Sequence, residues 1–271
     1  MLLSKIFLNK TIAITRGKNK NSEFTRLVKE EGGIPISLPT IKLVPVESSD
    51  FSEKFSDICT KKHDYYIFMS PNSVDILFEL ARKNKLTHLF EEQLKKCNVI
   101  AIGPSTRKRL EANSIFVNWV PSDFSSQGIL ELIRKLSLKR GTRIVIPRSG
   151  GSNSFLKDKL NSMGIIVDEF YTYYPQIAAI NETWINFSKK MEQNRIHVMI
   201  FTSPSAVSNF FSIMQNILSN FREYFRNIDV LISIGPNTTR ELVSRNVFPA
   251  DSEEHTIEGT LNLAKRILSG K

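Results

Sequence analysis

The feature that most limits how this chain can fold is that it repeats itself once, at a spacing of about 132 residues. Ile67 to Val74 returns as Ile200 to Val207, Ile102 to Thr106 as Ile234 to Thr238, and Ile12 to Arg16 as Ile144 to Arg148. The matches keep their order along the chain. Solenoid repeats run at about 20 to 50 residues, so a period this long means two related domains and not a stack of small units.

Within each copy, short runs rich in Ile, Val and Phe alternate with longer amphipathic segments, the pattern of parallel strands joined by crossover helices. Strands are expected near 11–15, 34–38, 65–69, 98–102 and 115–120 in the first copy. The second copy places them near 142–147, 165–171, 197–202, 229–234 and 246–249. A helix over 20–31 puts Phe24, Leu27 and Val28 on one face, and one over 125–137 does the same with Ile129, Leu132, Ile133 and Leu136. Gly32, Gly33 and Gly164 stand where helix C-terminal caps belong.

Four expected strand-to-helix junctions carry proline at the position that opens a helix: Ser70-Pro71, Gly103-Pro104, Ser203-Pro204 and Gly235-Pro236. Proline there loses no hydrogen bond, and the preceding Ser can cap. In a parallel sheet such junctions share the carboxyl edge, where open α/β sheets bind ligands, and helix N-termini favour anions. Ser70, Asn72, Ser73, Gly103, Ser203, Ser205 and Gly235 are therefore candidates for an anion-binding rim. Read more plainly, each junction only starts a helix.

Charge bears on the partner. Lys and Arg number 37 against 27 Asp and Glu, a net charge of +10, which suits a polyanion. The basic residues are scattered, and the denser patches, Arg16 to Lys20 and Arg107 to Arg109, lack interleaved aromatics, so nucleic acid is not the expected partner. A small carboxylated or phosphorylated molecule fits as well. Cys59 and Cys97 have no metal-type spacing and read as reduced structural thiols. His63, His88, His197 and His255 form no ligand motif, and dinucleotide, Walker and nucleophile-elbow fingerprints are missing, so neither metal nor cofactor is expected. Polar residues interrupt every apolar run before bilayer length, and no cleavage site follows Met1 to Asn9; the expectation is a cytoplasmic protein that spans no membrane.

With these motifs in place, the chain resembles the uroporphyrinogen-III synthase family over essentially its whole length. The resemblance rests on Thr15-Arg16, Phe68 to Val74, Ile102 to Thr106, the Tyr173 stretch after Gly164, Phe201 to Val207 and Ile234 to Thr238. Met69 departs from it, because the family usually has Thr there. The fold it implies is α/β and flavodoxin-like: two domains with parallel five-stranded sheets, joined by a two-segment linker, with a cleft between them. Residues 1–39 plus 172–271 would form one domain and 40–171 the other, with a sequential division near Lys139 to Gly141 still open.

The activity implied by the resemblance is cyclisation of hydroxymethylbilane, an octacarboxylate, with inversion of ring D and loss of water, as a monomer. The enzyme that supplies this substrate is a further candidate partner. Hydroxide leaves ring A, the substituted carbon of ring D attacks to give a spiro intermediate, and closure yields the type III isomer. What the protein must supply is a proton donor and a chain conformation that prevents simple head-to-tail closure. Tyr173 matches the family's tyrosine, and phenols keep their proton at neutral pH; Tyr171 and Tyr174 are close enough to compete for the role, and a packing role for Tyr173 is also open. Thr106 and Thr238 match the family's threonine pair as further catalytic candidates, or else serve the first turns of their helices. Arg16 and Arg148 are candidate carboxylate clamps, or else solvated loop cations, and Ser149 is a further candidate for binding substrate. Two other classes compete with the enzyme: a two-lobed binder of a small polyanion, and a regulatory protein that kept this fold.

Overall fold

The structure, a computed structural model, describes residues 5–17, 21–46 and 49–270. Lys18 to Lys20 of the basic patch, with the first residue of the expected helix 20–31, lie outside the described residues, as do Met1 to Ser4. By contact the chain divides into two compact units, Met1–Lys42 with Gln176–Lys271, and Leu43–Pro175.

In chain order the elements begin with β1 (Thr11–Ile14), α1 (Ser22–Glu30), β2 (Ile34–Ser37), β3 (Ile41–Pro45) and α2 (Ser49–Thr60). Next come β4 (Tyr65–Phe68), α3 (Pro71–Lys83), α4 (Thr87–Lys96), β5 (Asn98–Ala101), α5 (Pro104–Glu111) and α6 (Ser126–Lys135). The centre of the repeat follows with β6 (Arg143–Ser149), α7 (Phe155–Ser162), β7 (Ile166–Ile177) and α8 (Glu182–Glu192). The chain ends with β8 (Val198–Phe201), α9 (Pro204–Ile217), α10 (Phe221–Phe225), β9 (Val230–Ser233), α11 (Pro236–Val243), β10 (Ala250–Asp251) and α12 (Ile257–Leu268).

Two five-stranded sheets result, ordered β10-β9-β8-β1-β2 and β3-β7-β6-β4-β5. Each draws strands from both copies of the repeat. The ladders β2-β1-β8-β9-β10 and β7-β6-β4-β5 are parallel throughout. Parallel strands buried on both faces read as unbroken apolar runs, and β1 and β8 are buried at every residue. Alternate residues feed opposite layers: in the second sheet Phe68, Val99 and Val145 face one core, while Ile67, Ile100, Ile144 and Ile146 face the other. The expected helix faces are present, with Phe24 and Val28 buried in α1 and Ile129 and Ile133 in α6. Gly32 and Gly164 close α1 and α7 at φ +78° and +80°, the left-handed region where a Cβ is costly.

Two expected strands are corrected. The segment 115–120 makes only a single bridge, Trp119 to Ile100, and the expected 246–249 strand lies instead at Ala250–Asp251 beside β9. The reason is the same in both copies. Ser114 and Asn246 turn left-handed at φ 60°, after which the N–H groups of Ile115 and Val247 close the preceding helices onto Leu110 and Leu242, so they are not free for a ladder. Pro249 has no N–H to offer. In the opposite direction, β7 extends to Ile177, beyond the expected 165–171.

Burial pushes the Cys59 thiol up to about 12 and the Cys97 thiol to about 11, which keeps both protonated and unreactive at neutral pH. His63 is held inside by Asp168 (2.9 Å), whose carboxylate also accepts from Arg143 (3.0 Å). Among the described residues no cluster of His, Cys, Asp and Glu is arranged to hold a metal ion, and no helix is long and apolar enough to cross a membrane.

One histidine predicts a pH dependence. His197 Nδ1 accepts the Thr11 N–H at 3.0 Å, and desolvation, with Lys10 nearby, holds the imidazole below its ordinary value against the opposing pull of Asp229. The folded chain therefore binds fewer protons than the unfolded one, whose imidazole titrates at about 6.5. Stability from this group is complete above that value and falls as the pH drops through it towards the lower folded value. Denaturant midpoints at pH 7.5 and 5.5 should fall more for the wild type than for His197→Asn; equal falls would refute the assignment.

Candidate active site

Parallel strands end together, so β4, β6 and β7 deliver their carboxyl ends to one edge of the second sheet. At the end of β4 the chain is extended at Ser70, and Pro71 opens α3. Ser70 Oγ accepts the Ser73 N–H at 3.1 Å and lies 2.9 Å from Ser73 Oγ, so the capping serine is fixed. The end of β6 supplies Arg148 and Ser149, and β7 supplies Tyr173, whose Oη lies 3.4 Å from Ser70 Oγ.

These side chains line a cavity of about 330 Å³. Of the residues expected from sequence, the structure brings Ser70, Ser73, Arg148, Ser149 and Tyr173 together there; Met69, Ser126, Ser152 and Asn153 complete the wall. The last three were missed. The signal for two of them was the run Ser149-Gly150-Gly151-Ser152-Asn153-Ser154 directly after a strand, polar and glycine-rich in the place where loops of α/β sheets meet ligands. A Cβ at Gly150 would stand 2.0 Å from the Tyr174 ring, so a larger residue there would displace that ring.

The three neighbouring tyrosines differ sharply. Tyr173 is 5% exposed and faces the cavity, whereas Tyr171 and Tyr174 are 42% and 47% exposed and stack on each other at 6.5 Å. Arg148 is buried and already paired with Glu169, and its Nη2 donates to the Asn153 carbonyl at 2.6 Å. Lys157 lies 3.4 Å from the other carboxylate oxygen. The guanidinium therefore braces the loop as well as lining the cavity, and it shares the one Glu169 carboxylate with Lys157. Arg148 is thus not the solvated loop cation that the sequence left open.

Asn72 follows Pro71 in the first turn of α3, and Gly103 caps the start of α5 without a side chain. Thr106 in α5 and Thr238 in α11 are 1% and 3% exposed, so neither side chain is open to solvent. Arg16, Ser203, Ser205, Gly235 and Thr238 belong to the other unit. There Thr202 donates its N–H to Thr15 Oγ1 (3.1 Å) and its hydroxyl to the Thr15 carbonyl (2.8 Å), tying the ends of β8 and β1 together. Arg16 follows, half-buried, and Ser203 caps α9 by accepting the Ala206 N–H at 3.1 Å.

A family model for uroporphyrinogen-III synthase HemD matches residues 22–262. The chain belongs to the uroporphyrinogen-III synthase family. Its members are lyases that cyclise hydroxymethylbilane in tetrapyrrole biosynthesis, and this chain is an enzyme of that kind. A uroporphyrinogen-III synthase of Synechococcus elongatus is 25% identical over 94% of this chain and 94% of its own. A protein of Methanothermobacter thermautotrophicus that bears the same enzyme's name provisionally is 26% identical over 91% of this chain and 94% of its own. The fold is that of the uroporphyrinogen-III synthetase of Helicobacter pylori, with a TM-score of 0.62 at 16% identity over 95% of this chain and 99% of that one. A mutant uroporphyrinogen III synthase of Thermus thermophilus gives 0.61 at 18%, over 97% and 100%.

Proposed function

We propose that the Tyr173 cavity is where this enzyme handles the reacting end of hydroxymethylbilane, with Tyr173 as proton donor to the departing hydroxide. The observation that carries the reading is the position of the Tyr173 hydroxyl, beside the fixed Ser70 and inside a polar cavity, while its two tyrosine neighbours point away. The C–O bond of the hydroxymethyl group breaks as the phenol gives up its proton, and water leaves. The substituted carbon of ring D then attacks to give the spiro intermediate; its older bond to the bridging carbon breaks, that carbon joins the free α-position of ring D, and the proton displaced there returns to the phenolate, so the net change is loss of one water. Ser70, Ser73, Ser126, Ser149, Ser152 and Asn153 offer hydroxyl, amide and main-chain donors suited to carboxylates. A net charge of +10 favours the octacarboxylate at long range.

The same reading places the reaction in the cytoplasm. Because hydroxymethylbilane also closes unaided, it favours delivery from the enzyme that makes it. The test is to incubate purified protein with freshly made hydroxymethylbilane and no added metal or cofactor, then separate the oxidised isomers I and III by chromatography. An excess of isomer III over a protein-free blank is expected. Isomer I alone, at the blank rate and with folded protein, would overturn the reading in favour of a polyanion binder.

A further inference from the structure

The ladder between β6 and β7 is regular from Arg143–Ile166 to Arg148–Tyr171, and then Ser149 pairs with Tyr173. Thr172 is an extra residue, a bulge in a parallel pair, where bulges are rare. Its effect on side-chain direction can be read from the cores. Val167 packs in one layer and Phe170 in the opposite one, as odd and even residues must. Strict alternation would send Tyr173 to the Val167 side. Instead Tyr173 shares the layer of Phe170, Phe68 and Val145, three residues after Phe170. The extra residue has flipped it.

We infer that Thr172 is a positioning residue, whose hydroxyl holds the bulge that aims Tyr173, and not Tyr171 or Tyr174, into the cavity beside Ser70. Thr172 is fully buried, and its Oγ1 donates to the Arg148 carbonyl at 3.1 Å, across the point where the register breaks. Its own carbonyl accepts the Val46 N–H at 3.0 Å from the other side, and the Gly150 N–H binds the Tyr173 carbonyl at 2.7 Å. The bulged segment is thus pinned from β6, from the residue after β3 and from the loop. A valine of the same shape would keep the packing and lose the one side-chain bond that crosses the bulge.

The inference rests on the Tyr173 reading for its catalytic meaning but not for its geometry, so two readouts separate them. Tyrosine nitration mapped by fragmentation of the 171–174 peptide should mark Tyr171 and Tyr174 in the wild type and spare Tyr173. In Thr172→Val the Tyr173 signal should rise several-fold, and in Thr172→Ser it should stay at the wild-type level. Should the valine variant not fold, Thr172→Ala, which also lacks the hydroxyl, supplies the same comparison. In turnover, Thr172→Val should lower kcat with KM unchanged and add nothing to Tyr173→Phe. Wild-type nitration in the variant without the hydroxyl overturns the inference, as does an equal loss of kcat in the Tyr173→Phe background, which marks a general structural effect. If Tyr173→Phe is as fast as wild type while Thr172→Val exposes Tyr173, the bulge assignment stands and the proton-donor reading falls.

Discussion

Tyr173→Phe is expected to lower kcat about 10²-fold, the lower end of what a positioned acid or base supplies, with KM and the unfolding midpoint close to wild type. The ring stays in the core with Phe170 and Val145, so the packing that holds β7 is kept. The lost hydroxyl made only a long contact, 3.4 Å, with Ser70, and a neutral bond of that length adds little stability. The low end is expected because a phenol is a weak acid far from neutrality, while orientation of the flexible substrate supplies the larger share of the barrier reduction. Initial rates with fresh hydroxymethylbilane, read as isomer III against the uncatalysed blank, decide the matter. An unchanged rate would move the donor elsewhere, for instance to a carboxyl of the substrate, and would leave Tyr173 as a packing residue.

What was readable in the sequence followed from burial and periodicity. The β1, β4 and β8 runs stand out because both faces of a parallel strand are covered, and the Ser-Pro junctions mark strand ends that become helix starts. The segments 115–120 and 246–249 also carry apolar residues, Ile115, Phe116, Val117, Trp119 and Val120 in one and Val247 and Phe248 in the other. The N–H groups of Ile115 and Val247 close the preceding helices instead, at turns set by single left-handed residues, Ser114 and Asn246, which hydrophobic patterning does not register. Three tyrosines within four residues look alike in a string of letters. Only the register break at Thr172 separates them, and a bulge is a property of two strands and not of one. Arg148 likewise reads as a free cation until Glu169, 21 residues on, is brought beside it by the neighbouring strand.

That pair predicts the largest effect on stability. Arg148→Ala should cost about 3 kcal/mol, because removing one partner of a buried ion pair strands the other charge in a medium that solvates it poorly. Both side chains are nearly covered, at 8% and 7% exposure. The figure sits at the low end of the usual range because Lys157, 3.4 Å from the carboxylate, remains to offset part of the charge. The loop also loses its anchor at the Asn153 carbonyl. Replacing both partners, Arg148→Met with Glu169→Leu, should recover most of the loss, since no buried charge is then left unpaired. Trp119 and Trp184 lie in different units, so Trp184→Phe leaves Trp119 fluorescence to report urea unfolding of the unit that contains the pair. If Arg148→Ala unfolds at the wild-type midpoint but raises KM for hydroxymethylbilane, the guanidinium is free to leave Glu169 for a substrate carboxylate, and its work in this fold is binding, not bracing.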